Sequence, residues 1–443
     1  MIFDTIVAMA TPPIKSALAI VRLSGEDSLT IASKIFSQDL EAINKAGHYF
    51  GVISHQGQII DQAIALVFLK PHSFTGEHSV EFSVHGSPLV AQQVIEACLA
   101  NGARLAANGE FSSRAHLNGK LDLVQAEAIN DIINATTSES KRLALLSLSG
   151  QSSALIDPIR NAIADILSLI EVNIDYPEYE DLEPLDRHKT IEKIEAIRAS
   201  IQDLVKQGQQ GRIIKEGLNL AIVGKPNVGK SSLLNAMLKE DKAIVTDIAG
   251  TTRDVVEGDI SLAGLVLHLS DTAGIREGLD AIEKMGIAKS RKAIEKADLV
   301  IVVLDASNPL EDEDEKILEM TKDSKRIIVY NKSDLKPIKD DGKLYISALT
   351  KDIKGLEIAI LNLFGIEEES YLRPSLNNAR QIGLMQNIDR SLEIALNDAE
   401  AGLSFDLISA SLQDAYQDVL KILGLETSTD LAKEIFSRFC VGK

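Results

Sequence analysis

The chain has 443 residues, 45% of them hydrophobic and 25% charged, enough for two to four domains that each bury a core. A net charge of −19 argues against non-specific binding to nucleic acid, which needs clustered lysine and arginine, but leaves room for a specific RNA held by a local patch or by a more basic partner. Two cysteines, Cys98 and Cys440, supply neither a disulfide framework nor a Cys-rich zinc site and fit a reducing cytoplasm; no run of apolar residues predicts export or a membrane span.

Residues 1–118 alternate short β-rich runs, such as Ala17 to Leu23 and Gln62 to Leu69, with turn signals and one helical stretch near Val90 to Ala100, the pattern of an α+β domain. From Leu121 the period becomes helical: Ile159, Ile163, Ile166, Leu167 and Ile170 share one face, and a second amphipathic stretch runs from Thr190 to Gln207, where the glycines up to Gly211 are expected to punctuate it. The acidic runs Glu178 to Glu183 and Glu311 to Glu315 read as solvated segments without assigned function.

The run Leu218 to Val223 predicts a buried strand and Ser231 to Met237 a helix, so the turn Gly224-Lys-Pro-Asn227-Val228-Gly229-Lys230-Ser231-Ser232 presents backbone N–H groups at a helix N-terminus, where phosphate is favoured. Lys230 is expected to reach the β- and γ-phosphates and Ser231 to ligate Mg²⁺. Asp271, after the strand Leu265 to Leu269, would hold the ion through water, and Thr252, on a loop sensing the γ-phosphate, would be its second protein ligand. Thr246-Asp247-Ile248-Ala249-Gly250-Thr251-Thr252 and Asp271-Thr272-Ala273-Gly274 complete the phosphate side. Asn331-Lys332-Ser333-Asp334 follows the strand Ile327 to Tyr330, so Asp334 can accept two hydrogen bonds from guanine that adenine cannot offer. The nucleotide is therefore GTP, with Ser347-Ala348-Leu349 as a second base contact. Four motifs in order make a surface turn an untenable account of the first.

Many small GTPases orient the attacking water with a glutamine where this chain has Ile275, which cannot polarise water. Glu277, Glu283, or a residue or ion supplied elsewhere must replace it. Asn227 has an amide oxygen that can help hold a monovalent cation against the phosphates, although asparagine is also an ordinary turn residue. The GTPase segment spans residues 213–367 and predicts a mostly parallel sheet covered on both faces, with one antiparallel pair at the Ala263-Gly264 turn. Helical patterns resume in residues 368–443, with Ile388, Leu392 and Leu396 on one face. They are expected to join residues 119–212 in one bundle into which the α/β P-loop GTPase domain is inserted.

These residues resemble the MnmE (TrmE) family of tRNA-modification GTPases. The match outside the GTPase motifs is carried by Asp4 to Ala8, Ala10 to Pro13, Arg22 to Gly25, Ser73 to Glu77 through His85-Gly86, Gly109 to Phe111, Leu121 to Glu127, and the run Phe439-Cys440-Val-Gly-Lys443. The resemblance implies a homodimer with an N-terminal domain, residues 1–118, for folate binding and dimerisation. It also implies a flavin-dependent partner of the MnmG (GidA) type in a heterotetramer or larger complex, and (carboxymethyl)aminomethyl modification at carbon 5 of the wobble uridine in certain tRNAs. By residue, it implies that Arg22, Glu81, Lys120 and Lys443 bind a tetrahydrofolate derivative of the 5-formyl or methylene type. It assigns Asn227, Thr246, Ile248 and Thr251 to K⁺ and Glu283 to the attacking water, and sets Cys440 near the one-carbon chemistry. Two lysines and an arginine suit the glutamyl carboxylates of folate, and Glu81 suits the pterin N–H groups. The chain departs from the family at Ile14 to Ala17, where a glycine-rich turn is usual, a difference that bears on the folate pocket or the dimer contact.

A GTP-regulated assembly factor would share the P-loop, Asn227 included, but has no need of the folate-type domain or the Cys-Val-Gly-Lys run. A membrane-remodelling GTPase would need an amphipathic or spanning anchor, and the helical stripes here are core-like.

Overall fold

The computed structural model describes residues 4–175, 185–240, 259–269, 288–335 and 341–426, with 435, 436, 439 and 442. The chain divides into two compact units, Met1–Asn130 with Tyr416–Lys443, and Asp131–Ala415.

The first unit is built on a six-stranded sheet of β1 (Ile6–Met9), β2 (Leu18–Ser24), β3 (Gly47–His55), β4 (Gln58–Phe68), β5 (Ser79–His85) and β6 (Arg104–Leu105), in the order β3-β4-β5-β2-β1-β6. Neighbours pair antiparallel except β1 with β6. Alternation decides which face is buried: Val21, Leu23, Ala63, Ala65, Val67, Val80, Phe82 and Val84 pack with α1 (Ser28–Ile35) and α2 (Pro88–Ala100). On the opposite face most intervening residues are half-buried, and Ile64 and Phe50 are exposed. On that side Ile6 and Ala8 of β1 meet Phe111 of α3 (Glu110–Leu117), and Leu123 and Ala126 of α4 (Leu123–Asn134) pack with Phe436 and Phe439. The Ile14–Ala17 segment closes on the end of β5: Ser16 N donates to Gly86 O at 3.0 Å, and Gly86 N donates to Ala17 O at 3.2 Å.

The second unit holds a sheet of β7 (Leu218–Val223), β8 (Asp259–Leu262), β9 (Leu265–Leu269), β10 (Leu299–Asp305), β11 (Arg326–Asn331) and β12 (Leu344–Tyr345), in the order β12-β11-β10-β7-β9-β8. All pairs are parallel except β8 with β9, which turns at Ala263-Gly264. One face packs with α8 (Lys230–Glu240) and α11 (Lys354–Phe364), the other with α9 (Ala288–Lys296) and α10 (Asp312–Met320). Every residue of β10 is buried, as a central parallel strand requires.

The helices of this unit include α5 (Ser138–Leu148), α6 (Asp157–Asp175), α7 (Arg187–Glu216) and α12 (Ala379–Glu400); α13 (Phe405–Leu423) follows. All five isoleucine and leucine positions expected on one face of α6 are buried. On α12 the buried stripe is Met385, Ile388, Leu392, Ala395 and Ala399, whereas Leu396 is only half-buried. The expected interruption at Gly208 and Gly211 does not occur: α7 continues through both. A Cβ on Gly208 would stand 2.5 Å from Leu376 O, and one on Gly211 2.5 Å from Ser375 Oγ. The glycines serve close packing against the segment that leads into α12, and the burial of α7 offsets their low helix propensity of about 1 kcal/mol each.

Candidate functional site: the nucleotide-binding edge and the Arg22 corner

β7 ends at Val223, and the chain turns through Gly224 to Gly229 into α8. A Cβ on Gly224 (φ +158°) would fall 2.4 Å from Val303 O, and one on Gly229 (φ +96°) 2.3 Å from Asn331 Nδ2, so only glycine fits at either position. Asn227 adopts φ +63°, a left-handed conformation that asparagine tolerates. Val228 is buried beneath the turn, while Asn227, Ser231 and Ser232 are exposed and Gly229 and Lys230 half-buried. Lys230 Nζ donates to Gly224 O (2.7 Å) and Lys225 O (2.8 Å), across the concave side of the loop. Burial lowers its pKa from the ordinary lysine value, partly opposed by Glu313.

The guanine-side residues are joined to this loop. Asn331, 2% exposed, donates from Nδ2 to Val228 O (2.8 Å) and accepts at Oδ1 from Ala348 N (3.0 Å), so one side chain spaces the phosphate turn from the base loop. Ser347 Oγ donates to Asp334 Oδ1 at 2.6 Å, aligning that carboxylate, and Leu349 is exposed beside it. Lys332 takes φ +66°, and its Nζ meets Asp305 Oδ2 at 2.7 Å. Burial works to raise the Asp305 pKa, but hydrogen bonds from Lys332 and Ser307 and the lysine charge bring it down to about 2. Asp305 was not singled out in the sequence; its signal was a carboxylate closing a wholly apolar strand, at the carboxyl edge where open α/β sheets bind ligands. Lys225 was also passed over: its Nζ contacts Asp314 (2.9 Å) and Glu311 (3.2 Å), fastening the turn to the start of α10.

The expected site residues Thr246, Asp247, Ile248, Ala249, Gly250, Thr251, Thr252, Asp271, Thr272, Ala273, Gly274, Glu283, Cys440 and Lys443 lie outside the described residues. So do Ile275 and Glu277. Among the described residues, no group of three or more His, Cys, Asp and Glu side chains is arranged to hold a metal ion.

In the first unit, Arg22 and Glu81 face each other across β2 and β5, with Nε to Oε1 at 2.7 Å. Arg22 Nη1 also donates to Gly442 O at 3.2 Å, and its guanidinium lies 5.8 Å from the Phe74 ring centroid and 5.5 Å from that of Phe111. The stem of Lys120 runs beside Gly76, two residues after Phe74. Arg22, Glu81, Phe74 and Phe111 are thus brought together from four separate stretches of sequence, with Lys120 alongside the Phe74 loop. The aromatic pair was not foreseen, because nothing in the spacing of Phe74 and Phe111 marks it. Deeper in the unit, Arg114 is 3% exposed and held by Asp4, Glu77 and Glu110, the last also gripping Arg104.

A mostly parallel sheet whose carboxyl edge carries a glycine-bounded phosphate turn, with an asparagine tying that turn to the base loop whose serine holds a carboxylate suited to guanine, defines the class: a P-loop GTPase. Family models match the "GTP-binding protein TrmE N-terminus" over residues 5–120 and the "MnmE helical domain" over residues 123–440. The chain is 43% identical to the tRNA modification GTPase MnmE of Ligilactobacillus salivarius and 42% identical to that of Enterococcus faecalis, in each case over 100% of this chain and 98% of the relative. The chain belongs to the MnmE family of tRNA modification GTPases. Among solved structures, a variant of Aquifex aeolicus Era bound to GDP·AlF4⁻ aligns with 40% of this chain and 67% of its own, at 22% identity and a TM-score of 0.25. Among the described residues, no helix is long and apolar enough to cross a membrane.

Proposed function

We propose that this GTPase is stimulated by K⁺ and uses its turnover to drive folate-dependent modification of the wobble uridine of certain tRNAs at carbon 5, as a cytoplasmic homodimer working with a flavin-dependent partner of the MnmG type. The names of its relatives support tRNA as the substrate. In this reading Lys230 engages the β- and γ-phosphates, Ser231 and Thr252 ligate Mg²⁺, and Asp334 with Ser347 to Leu349 holds guanine. Asn227, Thr246, Ile248 and Thr251 hold K⁺, which replaces the charge of an arginine finger, and Glu283 orients water in place of the missing glutamine. The domain limits proposed are residues 1–118, 119–212, 213–367 and 368–443.

The observation that carries the folate part is the Arg22 corner: a guanidinium and a carboxylate on a sheet face that α1 and α2 leave uncovered, flanked by two aromatic rings. Its donor set suits a tetrahydrofolate derivative, with Glu81 for the pterin N–H groups and Lys120 and Lys443 for the anionic glutamyl end; the ion pair sets Arg22 at the same end as Glu81 rather than at the glutamyl end. When bound, the folate supplies a one-carbon unit; Cys440 is proposed to stand near that chemistry. Nucleoside mass spectrometry of tRNA from cells lacking this protein is the test. Loss of the (carboxymethyl)aminomethyl uridines is expected, and unchanged wobble uridines would overturn the reading.

A further inference from the structure

His268 lies on β9, three positions before Asp271, and its ring is set between two oxygen acceptors. Nδ1 is 2.8 Å from Asp259 Oδ1 on β8, and Nε2 is 2.8 Å from the backbone carbonyl of Glu216, the last residue of α7. A neutral imidazole has one N–H and would turn its other nitrogen's lone pair toward an oxygen; only the imidazolium donates to both. Gly217 (φ +79°) permits the approach, since a Cβ there would fall 2.7 Å from Nε2. The same hairpin is held at its tip, where Tyr371 Oη donates to Ala263 O at 2.9 Å and a Cβ on Gly264 would come within 3.1 Å of the Glu139 side chain.

The two arms of this hairpin continue in sequence toward Thr252 and Asp271, and its base and tip are fastened to the end of α7 and to the segment after α11. We propose that His268 is a positioning residue for GTP hydrolysis: its doubly protonated ring couples the end of α7 to the strand that leads into Asp271, so that the helices and the nucleotide edge bias one another.

The charges around the ring agree. Asp259 and Asp298 act on it as anions, the Glu216 carboxylate is engaged by Arg212 at 2.7 Å, and Lys215 by Asp131 at 2.7 Å. Burial disfavours the charged ring, yet the hydrogen bonds to Asp259 and Glu216 O and the charge of the two aspartates raise its pKa above the ordinary histidine value. The inference depends on GTP hydrolysis alone and not on folate or K⁺.

The test is GTP hydrolysis by the full chain across mildly acidic to alkaline pH, for the unaltered protein, His268→Gln and Asp259→Asn. Below the His268 transition, kcat of the unaltered protein should exceed that of His268→Gln by about tenfold, a typical size for such coupling, with KM for GTP unchanged. The ratio should fall toward one as pH rises through the transition, and Asp259→Asn should move that fall to lower pH, because it removes the carboxylate that favours the cation. ¹⁵N-histidine NMR of the unaltered chain gives an answer independent of how the variants fold: both ring nitrogens of His268 should stay protonated to higher pH than those of an unstructured histidine. A His268 that loses its proton no later than an unstructured histidine, or a kcat ratio that does not change with pH, would overturn the proposal while leaving the GTPase assignment intact.

Discussion

The two sheets solve the same packing problem differently, and that difference decides where each can do chemistry. β10 is covered on both faces, so its seven residues are apolar or spent at the strand end, and polar groups appear only where the strand stops, at Asp305. β2 and β5 are covered fully on one face only, so alternate residues carry polar groups along the strand itself, and Arg22 and Glu81 meet in mid-sheet. A doubly covered sheet concentrates function in contiguous loops at one edge. A half-covered sheet spreads it over positions far apart in sequence.

That contrast can be broken or sharpened by substitution. The largest effect is expected from Lys230→Ala at the edge site: GTP hydrolysis should fall by about 10²- to 10³-fold, the scale for removing one charge-stabilising donor, while affinity for a tetrahydrofolate derivative stays unchanged. Steady-state kinetics and calorimetry on the same variant check both halves. Next is the stability difference between one residue type in two settings. Ile301→Ala in β10, fully buried, should cost about 2 to 5 kcal/mol, whereas Ile64→Ala in β4, 42% exposed, should fall well below that in urea unfolding. Equal costs would mean that the open face of the first sheet is covered in solution.

Arg22→Ala should weaken tetrahydrofolate binding by roughly 10- to 100-fold, the value of a hydrogen bond to a charged group, with GTP turnover unaltered; calorimetric titration measures it. The smallest effect concerns Asp305. Its pKa is depressed to about 2 from 3.8, so the stabilisation it draws from Lys332 is fully present above the unfolded value and is lost as pH falls through the folded one. Urea unfolding of Asp305→Asn should therefore differ from the unaltered chain at pH 5, and the gap should close as the pH is lowered toward about 2.

The guanine and phosphate motifs were legible because each is a short run with fixed spacing, and a strand that ends in glycine or Asn-Lys-x-Asp announces its own geometry. Most strands and helices singled out in the sequence lie within a few residues of those formed, since periodicity reports burial, but α1 and α3 of the first unit were passed over: each is only about two turns long, too short to show a helical period. The glycines of α7 were misread, because a glycine that ends a helix and one that admits a close neighbour look alike until the neighbour, here Leu376 or Ser375, is known. Leu396 lies at the margin of the predicted face for a related reason: the buried stripe of α12 turns toward Ala395 and Ala399, small residues that periodicity discounts.

The sequence by itself determined the family, the nucleotide and the order of the nucleotide-binding motifs, all of which depend on residues near one another along the chain. Tertiary structure alone decided that Asn331 spaces the phosphate turn from the base loop, that Asp305 holds Lys332, that Phe74 and Phe111 flank Arg22, and that His268 sits between Asp259 and Glu216. These are contacts between side chains drawn together by sheet register and burial, and no local pattern encodes a partner whose position is set by the folding of the rest of the chain.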